Sequence, residues 1–240
     1  MAKAEEIEFK KYQTRGAYHW EQIGNHPRKA NAFVASRYEM CLRLWERQGG
    51  TLQGKRLLDL GCGDGVLTYL LDRRGAISHG IDVSDLAVEL GRQKHRERGS
   101  KATFSVASGY DTGLPESSFD GVISSDVIEH VQEPQLFLSE IKRILKPGGL
   151  AIISTPIKIT EYPLDPMHVV EWFPDEYKQV IREQFPDAEF RKSHPLFWME
   201  FFEKSDKCRV LVNLLSRFRN PFYSESGWKH FALQYALVKK

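Results

Sequence analysis

Short apolar segments alternate with helical segments along the middle of the chain, and this alternation constrains the fold more than any other feature. The spacing predicts five strands, at residues 57–60, 78–83, 103–107, 121–125 and 150–154. Helices are predicted between them at residues 66–74, 85–98 and 134–145. Strands joined by helices form right-handed crossovers, so the pattern predicts a parallel, doubly wound sheet.

The two ends of the chain depart from this alternation. Helical spacing before it predicts an amphipathic helix at 31–48. The segments after it are predicted as a helix at 174–183, a strand at 189–192, an aromatic helical stretch at 196–228 and a last strand at 230–238. We therefore predict an α/β fold with a seven-stranded, mostly parallel sheet, helices on both faces, an N-terminal helical extension and a C-terminal helical insertion.

This pattern divides the chain into an extension at 1–50 and a main domain at 51–240. The insertion, at about 195–229, is predicted to cap the edge of the sheet where ligands bind. A packed helix with no role in binding is the alternative that the pattern leaves open.

Composition excludes several classes of protein. The 240 residues are 41% hydrophobic and 28% charged, which suits one large core or a core with a small lobe. A net charge of +2 gives no strong electrostatic case for binding nucleic acid or an anionic membrane. The apolar stretches are too short for membrane insertion, and the charged N-terminus is unlike a signal peptide. Three widely spaced cysteines indicate reduced thiols, so we expect a cytoplasmic protein of undetermined oligomeric state.

The stretch "LLDLGCGDG" at 57–65 joins the first predicted strand to the helix that follows it. Its three glycines allow a tight turn and a close approach of a ligand to the backbone. In a doubly wound sheet that ligand lies at the carboxyl ends of the strands. A dinucleotide site would need its third glycine one residue later. The acids Asp59 and Asp64 suit a ligand with an ammonium and a sulfonium better than they suit phosphates.

Four segments resemble, in order, the motifs of the class I S-adenosylmethionine-dependent methyltransferases. They are "LLDLGCGDG", "GIDVSD", "GLPESSFDGVISSDVIEHV" and "EIKRILKPGGLAIISTP", and they cover about residues 55–160. The resemblance implies a Rossmann-like fold and S-adenosylmethionine as the cofactor. It also implies a set of residues that bind this cofactor, namely Asp59, Gly61, Cys62, Gly63, Asp82, Val83, Ser108 and Asp126.

Within this set the resemblance implies individual roles. Asp82 would hold the ribose hydroxyls, and Asp59 would fix the turn near the ammonium group of the cofactor. The residue that contacts the adenine amino group stays open between Ser108 and Asp111.

Acids and a histidine cluster directly after the fourth strand. Asp126, Glu129 and His130 have the spacing that shares one face of a helical turn, and His168 follows the fifth strand. A hydroxyl is a poor nucleophile at neutral pH and needs a base or a metal. Carboxylates and imidazoles together suit Mg²⁺, Mn²⁺ or another divalent metal.

Three interpretations of this cluster stay open. The four side chains are predicted to bind a divalent metal, or His130 or His168 acts as a metal-free base, or the cluster only forms structural hydrogen bonds. The cluster resembles two metal-dependent branches of the family, the ubiquinone-pathway O-methyltransferases and the small-RNA 2′-O-methyltransferases. This resemblance implies oxygen methylation, with His130, His168 and Glu129 as the catalytic residues.

The acceptor is predicted to be a hydroxyl group of a small molecule or a glycan. Aromatic residues are predicted to wall its pocket, namely Tyr18, His19, Trp20, Trp172, Phe173, Phe197 and Trp198. Nucleic acid is disfavoured, because acids balance the basic residues and no basic stripe with interleaved aromatics stands out. RNA 2′-O-methylation and a catalytically silent protein that only binds S-adenosylmethionine remain as alternatives.

Overall fold

The computed structural model describes residues 11–161, 163 and 165–240. Seven strands form one sheet: β1 (Arg56–Leu60), β2 (Ile77–Asp82), β3 (Thr103–Val106), β4 (Phe119–Ser125), β5 (Leu145–Pro156), β6 (Glu189–Pro195) and β7 (Phe231–Lys239). Their order in the sheet is β3-β2-β1-β4-β5-β7-β6. Strand β7 runs antiparallel to both of its neighbours, and the other pairs of strands are parallel. The predicted seven-stranded, mostly parallel sheet is confirmed.

The α-helices in the described part of the chain are α1 (Lys11–Arg15), α2 (Tyr18–Gln22), α3 (Ala32–Gly49), α4 (Val66–Arg73), α5 (Asp85–Glu97), α6 (Pro134–Ile144), α7 (Pro174–Arg182), α8 (Leu196–Glu203) and α9 (Asp206–Leu215). Helices α1 to α3 precede the sheet, and α8 and α9 lie between its last two strands. None of the described helices is long and apolar enough to cross a membrane.

The sheet separates two layers of core, because successive side chains of a strand point to opposite faces. Leu57 and Ile152 pack on the side of α3 and α4. Their neighbours Leu58 and Ile153 pack on the side of α6 and α7. Buried apolar side chains of this size contribute about 1.5–3 kcal/mol each to folding. Because helices cover both faces of the sheet, the central strands are nearly continuous runs of apolar residues.

The chain reverses its direction of winding at β1. It builds β2 and β3 on one side of that strand and then returns to build β4 and β5 on the other. The carboxyl ends of β1 and β4 therefore border a crevice, which is the position where open α/β sheets bind ligands.

One strand boundary differs clearly from the prediction. Strand β5 begins at Leu145 rather than at Leu150, so "KPGG" lies within the strand. Phe119 pairs with Leu145, and the next pair is Gly121 with Leu150. Gly148 has a φ of 75°, which lets the chain bulge outward between these pairs. The glycines therefore interrupt the pairing, whereas the sequence pattern predicted that they would precede the strand.

Candidate functional site

A cavity of about 570 Å³ opens at the carboxyl ends of β1, β2, β4 and β5. The glycine turn and the strand ends form its floor, and residues from α1, α2, α3 and α8 form its walls. It brings together most of the predicted site residues, namely Asp59, Gly61, Cys62, Gly63, Asp82, Val83, Asp126, Glu129, His130 and His168.

The glycine turn follows β1 and requires the left-handed backbone region. Gly61 and Gly63 have φ values of 80° and 53°. The backbone N–H groups of Gly61 and Cys62 both donate to the carbonyl of Ile81, at 2.8 Å each. A Cβ on Gly63 would lie 2.0 Å from the hydroxyl oxygen of Tyr12, so α1 packs directly over this turn.

Asp82 ends β2 and links it to the glycine turn. One carboxylate oxygen accepts the N–H of Gly63 at 2.8 Å, and the other accepts the N–H of Ser84 at 2.9 Å. The side chain also lines the cavity. Asp82 therefore stands at the strand end where the family resemblance expects the ribose-binding acid.

The two acids that flank the turn have different environments. Asp59 is 2% exposed and accepts a hydrogen bond from Thr68 at 2.6 Å. Burial raises the pKa of Asp59 to about 7. Asp64 accepts the backbone N–H of His19 at 3.1 Å, and its other carboxylate oxygen lies 3.1 Å from the ring Nδ1 of the same residue. Asp64 thus anchors α2 and is not among the residues that line the cavity, contrary to its predicted role beside a cationic ligand.

Neither candidate for the adenine contact lines the cavity. The Ser108 hydroxyl accepts the N–H of Tyr110 at 3.1 Å, and Asp111 is exposed. The cavity is lined instead by Ala107, Gly109 and Tyr110. The predicted contact of Ser108 with the cofactor stays a prediction, since only its neighbours in the chain line the cavity.

Glu129, His130 and His168 form a compact group on the opposite side of the cavity. One ligand atom from each lies within 4.8 Å of the others, and the two imidazole centroids are 4.9 Å apart. Glu129 and His130 lie on a short 3₁₀ turn, Ile128–His130, rather than on an α-helix. A loop that follows β5 brings His168 to them.

Glu129 is fully buried beside this cavity. Its Oε2 accepts from the Thr155 hydroxyl at 3.1 Å, and its Oε1 has no hydrogen-bond partner in the described part of the chain. Burial and the nearby charge of Asp126 raise the pKa of Glu129 well above its usual value. A buried carboxylate oxygen without a donor indicates a place for a proton or a cation.

Each histidine of the group is oriented through its Nδ1 atom. His130 Nδ1 lies 2.9 Å from the carbonyl oxygen of Met167, and His168 Nδ1 lies 2.6 Å from a carboxylate oxygen of Glu171. Both partners are acceptors, so both Nδ1 atoms are donors and the Nε2 atoms of the neutral rings carry the lone pairs. Burial lowers the pKa of His130, which favours the neutral ring.

Asp126 is not part of this group, contrary to the predicted four-ligand set. Its carboxylate accepts from Arg37 at 2.8 Å and from the Ser154 hydroxyl at 2.7 Å. The backbone at Asp126 has a φ of 55°, which turns the chain sharply after β4. Asp126 therefore holds the turn that presents Glu129 and His130, while its own oxygens are engaged elsewhere.

The aromatic wall also differs from the prediction. Tyr18 and His19 line the cavity, as do Tyr12 and Tyr38. Trp20 is buried, and its indole N–H donates to the carbonyl of Asp64 at 2.7 Å. The other predicted aromatics, Trp172, Phe173, Phe197 and Trp198, are not among the lining residues.

Other apolar side chains line the cavity instead of these four aromatics. They come from α3, α8 and β7, and they are Phe33, Val34, Met199, Ala232 and Leu233. Helix α8 thus contributes Met199 to the wall of the cavity, and the capping role of residues 195–229 stays a prediction.

The chain is similar to known proteins in sequence and in fold. Residues 58–153 match the methyltransferase domain family. A ubiquinone biosynthesis O-methyltransferase of Cereibacter sphaeroides is 29% identical over 165 residues, which cover 61% of this chain and 67% of that protein. The namesake from Thiobacillus denitrificans is 34% identical, over 48% of this chain and 50% of its own length. The chain thus spans about half to two thirds of these relatives.

A solved structure extends the likeness to nearly the whole chain. Phosphoethanolamine N-methyltransferase 2 of Haemonchus contortus, in complex with S-adenosyl-L-methionine, has a TM-score of 0.68 and 20% identity. The match covers 98% of this chain and 60% of that one, and at this identity it shows the fold alone. Residues 58–153 thus make up a methyltransferase domain, and its ordered motifs and relatives support a class I S-adenosylmethionine-dependent methyltransferase.

Proposed function

We propose that the chain transfers a methyl group from S-adenosylmethionine to a hydroxyl oxygen of a small molecule or a glycan. One observation carries the proposal: Asp82 and the glycine turn line the same cavity as Glu129, His130 and His168. The relatives named ubiquinone biosynthesis O-methyltransferases support oxygen as the methylated atom and a small molecule as the acceptor.

The donor end of the cavity is built from the first two strands. S-adenosylmethionine supplies a methyl group on a positively charged sulfur. The glycines at 61 and 63 leave room for it, and the carboxylates of Asp59 and Asp82 offset its positive charge. Such positioning matters because methyl transfer is an in-line displacement that depends on alignment of donor and acceptor.

The acceptor end combines apolar walls with the three polar side chains. Phe33, Val34 and Met199 would hold the apolar face of the acceptor. The Nε2 atom of His130 or His168 would accept the hydroxyl proton, since their Nδ1 atoms already donate to fixed acceptors. Loss of that proton makes the acceptor oxygen a better nucleophile.

The same group fits a divalent cation by its donor chemistry. Glu129 Oε1 has no hydrogen-bond partner in the described residues, and Glu171 and a backbone carbonyl orient the two imidazoles. A hydrogen bond from the other ring nitrogen to a carboxylate or a backbone carbonyl is typical of metal-binding histidines. A bound Mg²⁺ or Mn²⁺ would lower the pKa of the acceptor hydroxyl. We include Glu129, His130 and His168 as its ligands and leave Asp126 out.

Labelled S-adenosylmethionine tests this proposal with a panel of catechols, phenols, monosaccharides and amines. Methyl transfer to a hydroxyl group is expected, and the double variant His130→Ala/His168→Ala should lose it while still binding S-adenosylhomocysteine. Transfer to an amine alone would contradict oxygen methylation. Treatment with EDTA, followed by Mg²⁺ or Mn²⁺, separates the two roles of the histidines: an unchanged rate rejects the metal and leaves the base.

A further inference from the structure

Helix α9 and the turn after it carry an apolar stripe that faces solvent. The stripe consists of Leu211, Leu214, Leu215 and Phe218, whose exposed fractions are 47%, 39%, 45% and 94%. Their spacing is that of residues on one face of a helix. Contiguous exposed apolar surface of this kind marks an interaction site more often than scattered single residues do.

The opposite face of α9 is the one that packs against the protein. Val212 is fully buried with Phe202 and Phe222. The Asn213 side chain accepts the N–H of Ala32 and donates to two backbone carbonyls before α3. The helix is therefore firmly attached through this face, and the apolar stripe is not needed to hold it in place.

Basic residues surround the apolar stripe. Residues 204–219 contain five cations, Lys204, Lys207, Arg209, Arg217 and Arg219, and one acid, Asp206, which gives a net charge of +4. The whole chain has a net charge of +2, so the remainder carries −2. The small overall charge thus conceals a strongly basic segment around exposed leucines and a phenylalanine.

We propose that this surface docks the protein on an anionic lipid bilayer. Apolar side chains flanked by lysine and arginine are the features of a helix that lies in the membrane interface. Each cation near an anionic surface strengthens the attachment about fivefold. A second copy of the chain fits less well, because a two-fold interface through the stripe would bring the same cations face to face.

The docking surface is connected to the cavity through α8. This helix packs on α9, and its Met199 and Glu203 line the cavity. Docking would therefore bring one wall of the cavity close to the lipid surface. The inference does not rest on the proposed methyl transfer, since binding to lipid is measured without an acceptor.

Flotation with vesicles tests the inference on the full chain. We expect binding to vesicles of phosphatidylcholine with phosphatidylglycerol, weakening with salt, and little binding to phosphatidylcholine alone. Leu215→Ser/Phe218→Ser should lower the partition coefficient at least about tenfold. Lys207→Gln/Arg219→Gln should lower it about twenty-fivefold, by fivefold for each cation.

Matched controls come from surfaces elsewhere on the molecule. Ile77→Ser removes an exposed apolar side chain on β2, and Arg73→Gln/Lys101→Gln removes two exposed cations. These variants should bind the vesicles like the unaltered chain, and all variants should bind S-adenosylhomocysteine equally. Absence of binding to the anionic vesicles, or equal losses in the control variants, would overturn the proposal. If the chain does not bind vesicles but self-associates, and Phe218→Ser abolishes the self-association, the stripe is instead an interface with a second copy of the chain.

Discussion

A single carboxylate, that of Asp82, joins the glycine turn to the end of β2 by accepting two backbone N–H groups. In Asp82→Asn, the side-chain NH₂ group would face one of these backbone N–H groups, so two donors would oppose each other. The substitution would also remove the negative charge. Hydrogen bonds to charged groups contribute about 1.5–3 kcal/mol, so affinity for S-adenosylhomocysteine should fall roughly 10- to 100-fold by calorimetry. Asp111→Asn, at an exposed acid outside the cavity lining, is the control. Equal affinities for both variants would contradict the donor role of Asp82.

The buried carboxyl of Asp59 makes donor binding depend on pH. Because burial raises its pKa to about 7, Asp59 is neutral below that pH and negatively charged above it. The charged form attracts the ammonium group of the donor, so affinity for S-adenosylhomocysteine should increase as pH rises through about 7. Asp59→Asn should remove this step of the calorimetric pH profile. A step that persists in the variant would assign it to another group.

At the scale of elements, the Arg37–Asp126 pair connects α3 to the sharp turn after β4. Both side chains are mostly buried, at 16% and 10% exposed, and burial of Asp126 without a cation is unfavourable. Breaking such a pair costs about 3–5 kcal/mol, so Arg37→Met should lower the free energy of unfolding in urea by about that amount.

The double variant Arg37→Met/Asp126→Asn tests whether this cost comes from the unpaired charge. It should recover part of the lost stability, since no buried carboxylate then lacks its partner. An additive loss from the two substitutions would show that the residues contribute independently.

The elements themselves could be predicted from the sequence because their signals are local. The glycine turn, the strand after it and Asp82 follow one another within 26 residues, from Leu57 to Asp82, and periodicity identifies them. The Arg37–Asp126 pair joins residues 89 positions apart, and nothing near either residue indicates it. For that reason Asp126 was expected among the metal ligands, whereas the fold engages its carboxylate with α3.

The walls of the cavity were harder to predict for a similar reason. The pattern of residues 196–228 indicates helices but not which of their faces meets the sheet. Met199 and Glu203 therefore line the cavity where Phe197 and Trp198 were expected. Likewise, the glycines of "KPGG" indicate a break in regular structure, but only the pairing with β4 shows that the break lies inside the strand.

At the scale of the whole molecule, a buried histidine should limit acid stability. His194 is fully buried between the hydroxyls of Ser193 and Ser36, at 2.6 and 2.8 Å. Burial lowers its pKa from 6.5 to about 3, so between these values the unfolded chain binds more protons than the folded one. Stability should therefore fall as pH decreases below 6.5, by up to about 1.4 kcal/mol per pH unit from this residue.

Asparagine tolerates the positive φ of His194 and does not titrate, so His194→Asn should flatten the pH dependence of the urea midpoint. His26→Asn, at an exposed histidine, should leave the slope unchanged. An unchanged slope in the His194 variant would assign the acid sensitivity to other groups.

The proposed methyl transfer requires one cavity that holds both the methyl donor and the group formed by Glu129, His130 and His168. A crystal structure of the chain grown with S-adenosylhomocysteine tests this most directly. We expect the ribose beside Asp82 and the sulfur directed across the cavity towards His130 and His168. A ligand bound outside this cavity, or with its sulfur directed away from the two histidines, would contradict it.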